Sequence, residues 1–249
     1  MVVQAEEGRL ITAAVRVLVA TAVPVERDAV ARAFPPAVTE VRLPGALLCR
    51  TATGCDLLAA GVGPALAAAS TAGALTAAAL EGTPYDLVVC AGIGGGFQPG
   101  APVGSLVVAD AITVADLGAE TADGFLPVTE LGFGTVTHRP PEPVVRAAAE
   151  ATGARTGTIL TVSTVTGTAA RAAALRARHP SALAEGMEGF GVAEAAAAHG
   201  VPVLEIRAVS NPVGPRDRAA WRIGDALGAL TEAFGKLAPV LESWNPHDE

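Results

Sequence analysis

The side chains best placed by type and spacing to do chemistry lie between Met187 and Asn211. Met187-Glu188-Gly189-Phe190 opens an Ala-rich run to His199, and Gly200-Val201-Pro202 leads into an apolar stretch, Val203 to Val209, that ends in Ser210-Asn211. This layout puts a carboxylate at the start of a helix and a Ser-Asn pair at the carboxyl end of the next strand, where open α/β sheets place their ligands. A carboxylate among Met187, Gly189 and Phe190 needs a strong partner to be tolerated, so Glu188 reads as a functional group. Glu26 sits in the first turns after the first strand, where a carboxylate serves a helix terminus as readily as a site; its neighbours Arg27 and Asp28 read as solvated.

Other candidates carry both structural and chemical readings. Gly92-Ile93-Gly94-Gly95-Gly96 reads as a glycine loop after a buried strand, either a tight turn or a close backbone approach to a ribose or an anion. Phe97 stands where a dinucleotide fingerprint needs its third glycine, and no Walker lysine follows. Ser210 positions Asn211 or simply ends the strand. Arg207 alternates with Glu205 on one strand face, which suits a buried ion pair as well as a catalytic role. His138, His179, His199 and His247 have no metal-ligand spacing, so neither a metal nor a cofactor is expected. No Gly-x-Ser-x-Gly elbow supports acyl transfer.

The elements that must position these groups alternate between strand and helix. Strands are expected at Val15 to Ala20, Ala46 to Arg50, Asp56 to Ala60, Asp86 to Cys90, Gly104 to Ala109, Gly157 to Val162 and Val203 to Val209. Helices are expected at Val25 to Phe34, from Pro64 to Leu80, near Val144 to Thr152, Ala169 to His179, and Asp225 to Ser243. The stretch through Gly124, Gly132 and Gly134 reads as irregular and able to cover a pocket. The pattern implies one α/β domain over 15–243, with flexible tails at 1–14 and 244–249.

With a formal charge of −8 the chain lacks the clustered cations of a nucleic-acid surface, though a free nucleoside is not excluded. Cys49, Cys55 and Cys90 lie in or beside apolar runs and read as reduced thiols, which implies a cytoplasmic protein. The first residues have no h-region, and Gly61, Gly63 and Pro64 break the uncharged stretch from Leu57 to Leu80, so neither export nor a membrane span is expected.

Val17 to Glu26, Gly92 to Gly96, Met187-Glu188 and Arg207 to Asn211 together resemble the purine nucleoside phosphorylase and methylthioadenosine/adenosylhomocysteine nucleosidase superfamily. The Met187-Glu188-Gly189-Phe190 block, with Ser210 to Arg218 after the strand, is similar to its futalosine hydrolase branch. The resemblance covers about Arg16 to Leu241. It implies a three-layer α/β/α domain with a central mixed sheet, a homo-oligomer, and hydrolysis of futalosine to hypoxanthine and dehypoxanthinylfutalosine in menaquinone biosynthesis.

Breaking an N-glycosidic bond makes a cationic ribose and a purine that gathers negative charge, and the resemblance assigns residues to each. Glu188 would hold the ribose hydroxyls, with Met187 against the sugar face, and Glu26 would activate water. Asn211 would donate to N7 or O6 of the leaving base. Adenine-releasing nucleosidases carry Asp there, so Asn211 tilts the base toward a 6-oxopurine. Ile93, Gly94 and Ser210 would line the substrate site. Thr164, Val165 and Thr166 match the base-binding loop but lack the family's stacking aromatic. Arg216, Arg218 and Arg139 are candidates for the carboxylate beyond the 5′ carbon.

Three rivals remain. A phosphorylase would need a cationic phosphate site, which Thr21 to Pro24 lacks and Glu26 opposes. A methylthioadenosine-type nucleosidase is disfavoured by Asn211. A nucleoside-binding sensor would keep Glu188 and Asn211 without needing Glu26.

Overall fold

The computed structural model describes residues 15–36 and 38–244. The expected tail 1–14 and nearly all of the second tail lie outside them. Twelve strands and six α-helices follow in the order β1 (Val17–Thr21), α1 (Pro24–Ala31), β2 (Thr39–Leu43), β3 (Ala46–Arg50), β4 (Cys55–Ala59), α2 (Pro64–Leu80), β5 (Leu87–Gly96), β6 (Leu106–Val114) and β7 (Gly118–Thr121). Then come β8 (Gly124–Pro127), β9 (Thr137–His138), α3 (Glu142–Thr152), β10 (Arg155–Thr161), α4 (Ala169–Arg178), β11 (Ala182–Gly186), α5 (Gly189–Ala198), β12 (Val203–Pro212) and α6 (Ile223–Ser243).

Ten strands form one mixed sheet in the order β11-β10-β6-β12-β5-β1-β4-β3-β2, with β9 on β6. Its β11 end curls back, and β11 also pairs with β5 antiparallel through Ala184–Gly96 and Glu185–Gly95. Alternation along the buried strands fills two layers. Leu87, Val89 and Ala91 of β5 and Leu204, Ile206 and Ala208 of β12 face Val30, Val144 and Phe234 of α1, α3 and α6. Val88 and Cys90 face the other way, toward Ala67 and Ala74 of α2 and Val192 and Ala196 of α5. The expected three-layer α/β domain is the one found.

Three expectations on segments need correction. The glycine run 92–96 is not a loop: β5 continues through it, and none of these glycines has a positive φ. It reads as a loop in sequence because glycine usually marks turns, whereas here it makes room for neighbouring side chains and carbonyl oxygens. The stretch expected to be irregular contains a hairpin, β7 on β8, in a separate two-stranded sheet. Likewise β12 runs past Val209 to Pro212, with a register shift between Val209 and Asn211 against β5. Such a bulge re-aims the side chains that follow it.

At the amino ends of β1, β4 and β5, far from the strand termini that carry the candidates, a buried carboxylate pins three strands. Asp56, 1% exposed, accepts from the Tyr85 hydroxyl at 2.7 Å, Arg16 Nη2 at 2.8 Å and the Thr51 amide at 3.2 Å. Tyr85→Phe is expected to lower unfolding free energy by about 1–2 kcal/mol, as a lost bond to a charged group does, with unchanged kcat. Urea unfolding beside an activity assay checks both.

Candidate active site

The carboxyl ends of β1, β5, β11 and β12 converge on a cleft of about 180 Å³. Its wall is formed by Glu26, Ile93, Gly94, Gly95, Val165, Glu185, Met187, Glu188, Ser210, Asn211 and Trp221, among others. Most of the residues singled out in the sequence therefore meet in one place.

Glu26 enters from α1, whose start is set by Pro24. Its Oε2 accepts from the amides of Ala22 at 3.0 Å and Val23 at 3.2 Å, so it closes the helix terminus as a capping carboxylate does. Its Oε1 reaches across to the Ile93 amide at 2.9 Å. Both readings of Glu26 thus find geometry: it caps α1 and lines the cleft. Burial pushes its carboxyl above the usual carboxylate value, and the Ile93 bond and the Arg207 charge oppose that rise only in part.

Glu188 lies at the junction between β11 and α5, where it is 4% exposed. Its Oε1 accepts from the Gly63 amide at 3.2 Å, at the amino end of α2. The 17-residue α2 thereby aims its positive end at this carboxylate. Gly63 has φ of 88°, a conformation that favours glycine, so the approach depends on the residue type. Glu188 Oε2 accepts from Arg207 Nη1 at 3.1 Å.

Arg207 joins these groups. Its side chain is 1% exposed; Nε donates to Glu205 Oε1 at 2.8 Å and Nη2 lies 3.3 Å from Cys90 Sγ. Nη1 also lies 3.4 Å from the Ile93 carbonyl, so one residue touches Glu26 through its N–H and Arg207 through its oxygen. The ion pair expected from the alternation with Glu205 is present, and it extends to the candidate ribose carboxylate. Gly92 and Gly186 flank the guanidinium: a Cβ on Gly92 would fall 2.9 Å from Nη1, and one on Gly186 2.8 Å from Cζ. The surrounding carboxylates hold Arg207 charged more firmly than a free arginine, against the burial that would discharge it.

Asn211 follows the bulge in β12. Its Nδ2 donates to the Pro212 carbonyl at 3.0 Å, while Oδ1 accepts from Ser210 Oγ at 2.9 Å. Exchanging the amide atoms would set oxygen against oxygen at Pro212, which fixes the orientation. Ser210 therefore does more than end a strand: it holds the carboxamide. One N–H of Asn211 has no partner among the described residues.

Thr164, Thr166, Arg216, Arg218 and Arg139, all expected at the site, stand outside the wall. Thr164 is exposed; Thr166 is buried behind it, donating to Glu185 through its amide at 2.9 Å and through its hydroxyl. Arg216 is exposed and its guanidinium lies 5.3 Å from the Trp221 ring centre. Arg139 lines a second cavity, of about 520 Å³, with Phe125, Arg178 and His179. Two wall residues escaped the sequence reading. Trp221 supplies an aromatic in a chain with few, and Glu185 is a carboxylate in an apolar strand, the same signal that singled out Glu188.

Comparison with known proteins places this geometry in a family. The model of the phosphorylase superfamily matches residues 16–242. The chain is 82% identical to a futalosine hydrolase of Streptomyces coelicolor, over 93% of this chain and 98% of that one. It is 47% identical to a futalosine hydrolase of Acidothermus cellulolyticus, over 90% of each. Among solved structures, the futalosine hydrolase of Helicobacter pylori superposes with a TM-score of 0.76 at 16% identity, covering 91% of this chain and 98% of that one. A methylthioadenosine/adenosylhomocysteine nucleosidase from Colwellia psychrerythraea, in complex with adenine, gives 0.74 at 22%, covering 92% and 94%. At such identities the two structures speak for the fold alone. The chain belongs to the phosphorylase superfamily, and within it to the futalosine hydrolases.

Proposed function

We propose that this chain hydrolyses the N-glycosidic bond of futalosine, releasing hypoxanthine and dehypoxanthinylfutalosine, the step that its resemblance puts in menaquinone biosynthesis. One observation carries the chemistry: the cleft wall contains Glu26, Glu185 and Glu188 but no lysine or arginine. A cationic ribose is stabilised there, and a phosphate nucleophile is repelled, so water attacks rather than phosphate.

In this reading Glu188 accepts from the ribose hydroxyls and its charge lies near the oxocarbenium. The Gly63 amide and Arg207 hold it still, so it need not reorganise as charge develops. Met187, half-buried beside it, packs on the sugar. The C1′–N9 electrons leave with the purine, and the free N–H of Asn211 meets the charge gathering at N7 or O6. Water adds to C1′ and gives its proton to Glu26, whose raised proton affinity suits that task at neutral pH. Ile93, Gly94 and Val165 line the pocket, and Thr166 supports it through Glu185. Thr164 is exposed beside the lining residue Val165. Arg216, stacked against Trp221, is the favoured partner for the carboxylate beyond the 5′ carbon, because Arg139 belongs to a different cavity.

The domain is taken as 15–243. Three free, buried cysteines support a cytoplasmic setting. The exposed Val62, Leu66 and Leu80, along or beside the uncharged α2, support a homo-oligomer. Among the described residues no helix is long and apolar enough to cross a membrane.

Chromatography of free base after incubation with futalosine, with and without phosphate, tests the reading. Hypoxanthine should appear at the same rate in both, and a phosphate requirement would reject it. Glu26→Gln should lower kcat by about 10²–10⁴, the usual worth of a general base, while hypoxanthine still binds; an unchanged kcat would favour a binding protein. Because the Glu26 carboxyl is held above 4.5, it is protonated and inactive below its raised value and ionised above it. The acid limb of kcat/KM should therefore lie above pH 4.5 in the native protein and vanish in that variant, as a pH–rate profile will record. Asn211→Ala should cost about 10²–10³ in kcat on futalosine, the loss seen on removing one preorganised donor, in the same assay.

A further inference from the structure

Beyond the charge it adds to the cleft wall, Glu185 has no contact with the substrate in the chemistry above, and it is 5% exposed. Its Oε1 accepts from the Thr166 amide at 2.9 Å and its Oε2 from the Thr166 hydroxyl. Each oxygen keeps a free lone pair. The charges that act on its carboxyl are Arg171 and Asp116, after burial and the Thr166 bonds, whereas those acting on Glu26 are Arg207 and Glu188. Glu185 thus stands apart from the carboxylates that would surround the ribose.

It stands instead across one residue from Asn211. In the sheet Glu185 pairs with Gly95 from one side, and Asn211 pairs with the same Gly95 from the other. Gly95 lines the cleft, and a Cβ there would lie 3.4 Å from Asn211 Nδ2. A buried acceptor and an oriented donor therefore border a common space.

A 6-oxopurine offers that pair its complement: O6 and N7 accept, and the adjacent N1–H donates. Adenine reverses the edge, with a 6-amino donor beside an N1 acceptor. We propose that Glu185 selects the base by accepting N1–H of a 6-oxopurine while Asn211 donates to O6 or N7. The inference rests on the reading of this cleft as a purine nucleoside site. Adenine N1 against the carboxylate would set two acceptors together in a place closed to water, the arrangement that discriminates most strongly between substrates.

The experiment compares kcat/KM for futalosine and for its 6-amino counterpart in the native protein and in Glu185→Gln. Glutamine keeps the volume but loses the charge, and its NH₂ can donate to adenine N1. Activity on futalosine should fall about 10- to 100-fold, the worth of a hydrogen bond to a charged group, and the preference should move at least about tenfold toward the 6-amino substrate. An unchanged preference in a folded variant would overturn the role of Glu185 and leave the hydrolase reading intact. A native protein that releases no hypoxanthine from futalosine would overturn both. Should the variant not fold, binding of free hypoxanthine and 1-methylhypoxanthine to the native protein decides: weaker binding of the methylated base by about tenfold supports the N1–H contact, and equal binding overturns it.

Discussion

The site depends on one buried cation. Arg207 sits in the middle of a sheet strand with 1% of its side chain exposed, a location that costs several kcal/mol for an ion unless it is paired and hydrogen-bonded. Glu188, Glu205, Cys90 and the Ile93 carbonyl supply those partners from β12, β5 and the β11–α5 junction. Removing any of the carboxylates would leave the guanidinium underpaired, so the elements that carry the reacting groups are tied to each other through it. The absence of a side chain at Gly92 and Gly186 is part of the same arrangement, since a Cβ at either would occupy the guanidinium's space.

One cation cannot balance the carboxyls around it. Glu26, Glu188 and Glu205 all exert their charge on Arg207, and burial raises the Glu205 carboxyl toward the neutral form. The remaining compensation comes from backbone amides: Ala22, Val23 and Ile93 on Glu26, and Gly63 on Glu188. Amides fix a carboxylate without a counter-charge of their own in the cleft. The consequence is a wall rich in carboxylates, which in the proposed reaction would favour a developing ribosyl cation and disfavour an anionic nucleophile. Hydrolysis is thus linked to how the carboxylates are held, as well as to which residues they are.

The parts of this arrangement that were legible in sequence are local. Glu188 beside Met187 and Phe190, the period-two spacing of Glu205 and Arg207, and Pro64 at the start of α2 each carry a signal within a few residues. Three features were not local and were missed or misread. The glycine run signals a turn by composition, but Gly92 is crowded by the Glu26 carboxylate and the Arg207 guanidinium, which arrive from 66 residues before it and 115 after it in the chain, and Gly94 and Gly96 by the carbonyls of Glu185 and Ala101. The curl that brings β11 onto β5 is a pairing of distant segments, so Glu185 gave no hint of facing Gly95. Trp221 joins the wall from a turn beyond β12, although one of only two tryptophans in an aromatic-poor chain was a usable clue. Thr164 and Arg216 lie near the cleft in sequence terms yet not on its wall, where Val165 and Trp221 stand instead.

The bulge before Asn211 shows how small a backbone change sets which side chain faces the cleft. Along β12 the register against β5 is regular to Val209, then slips by one residue, so that Asn211 meets Gly95 where an unbroken strand would have presented Ser210. With the slip, Ser210 turns its hydroxyl to the carboxamide oxygen and the Pro212 carbonyl takes one N–H. The amide is left with a single N–H, fixed in direction. A carboxyl in the same place would donate only when protonated, and its donor would come and go with pH; the carboxamide donates at every pH. In the proposed reaction a base whose N7 and O6 both accept would be matched by this permanent donor, which the backbone bulge delivers to the cleft.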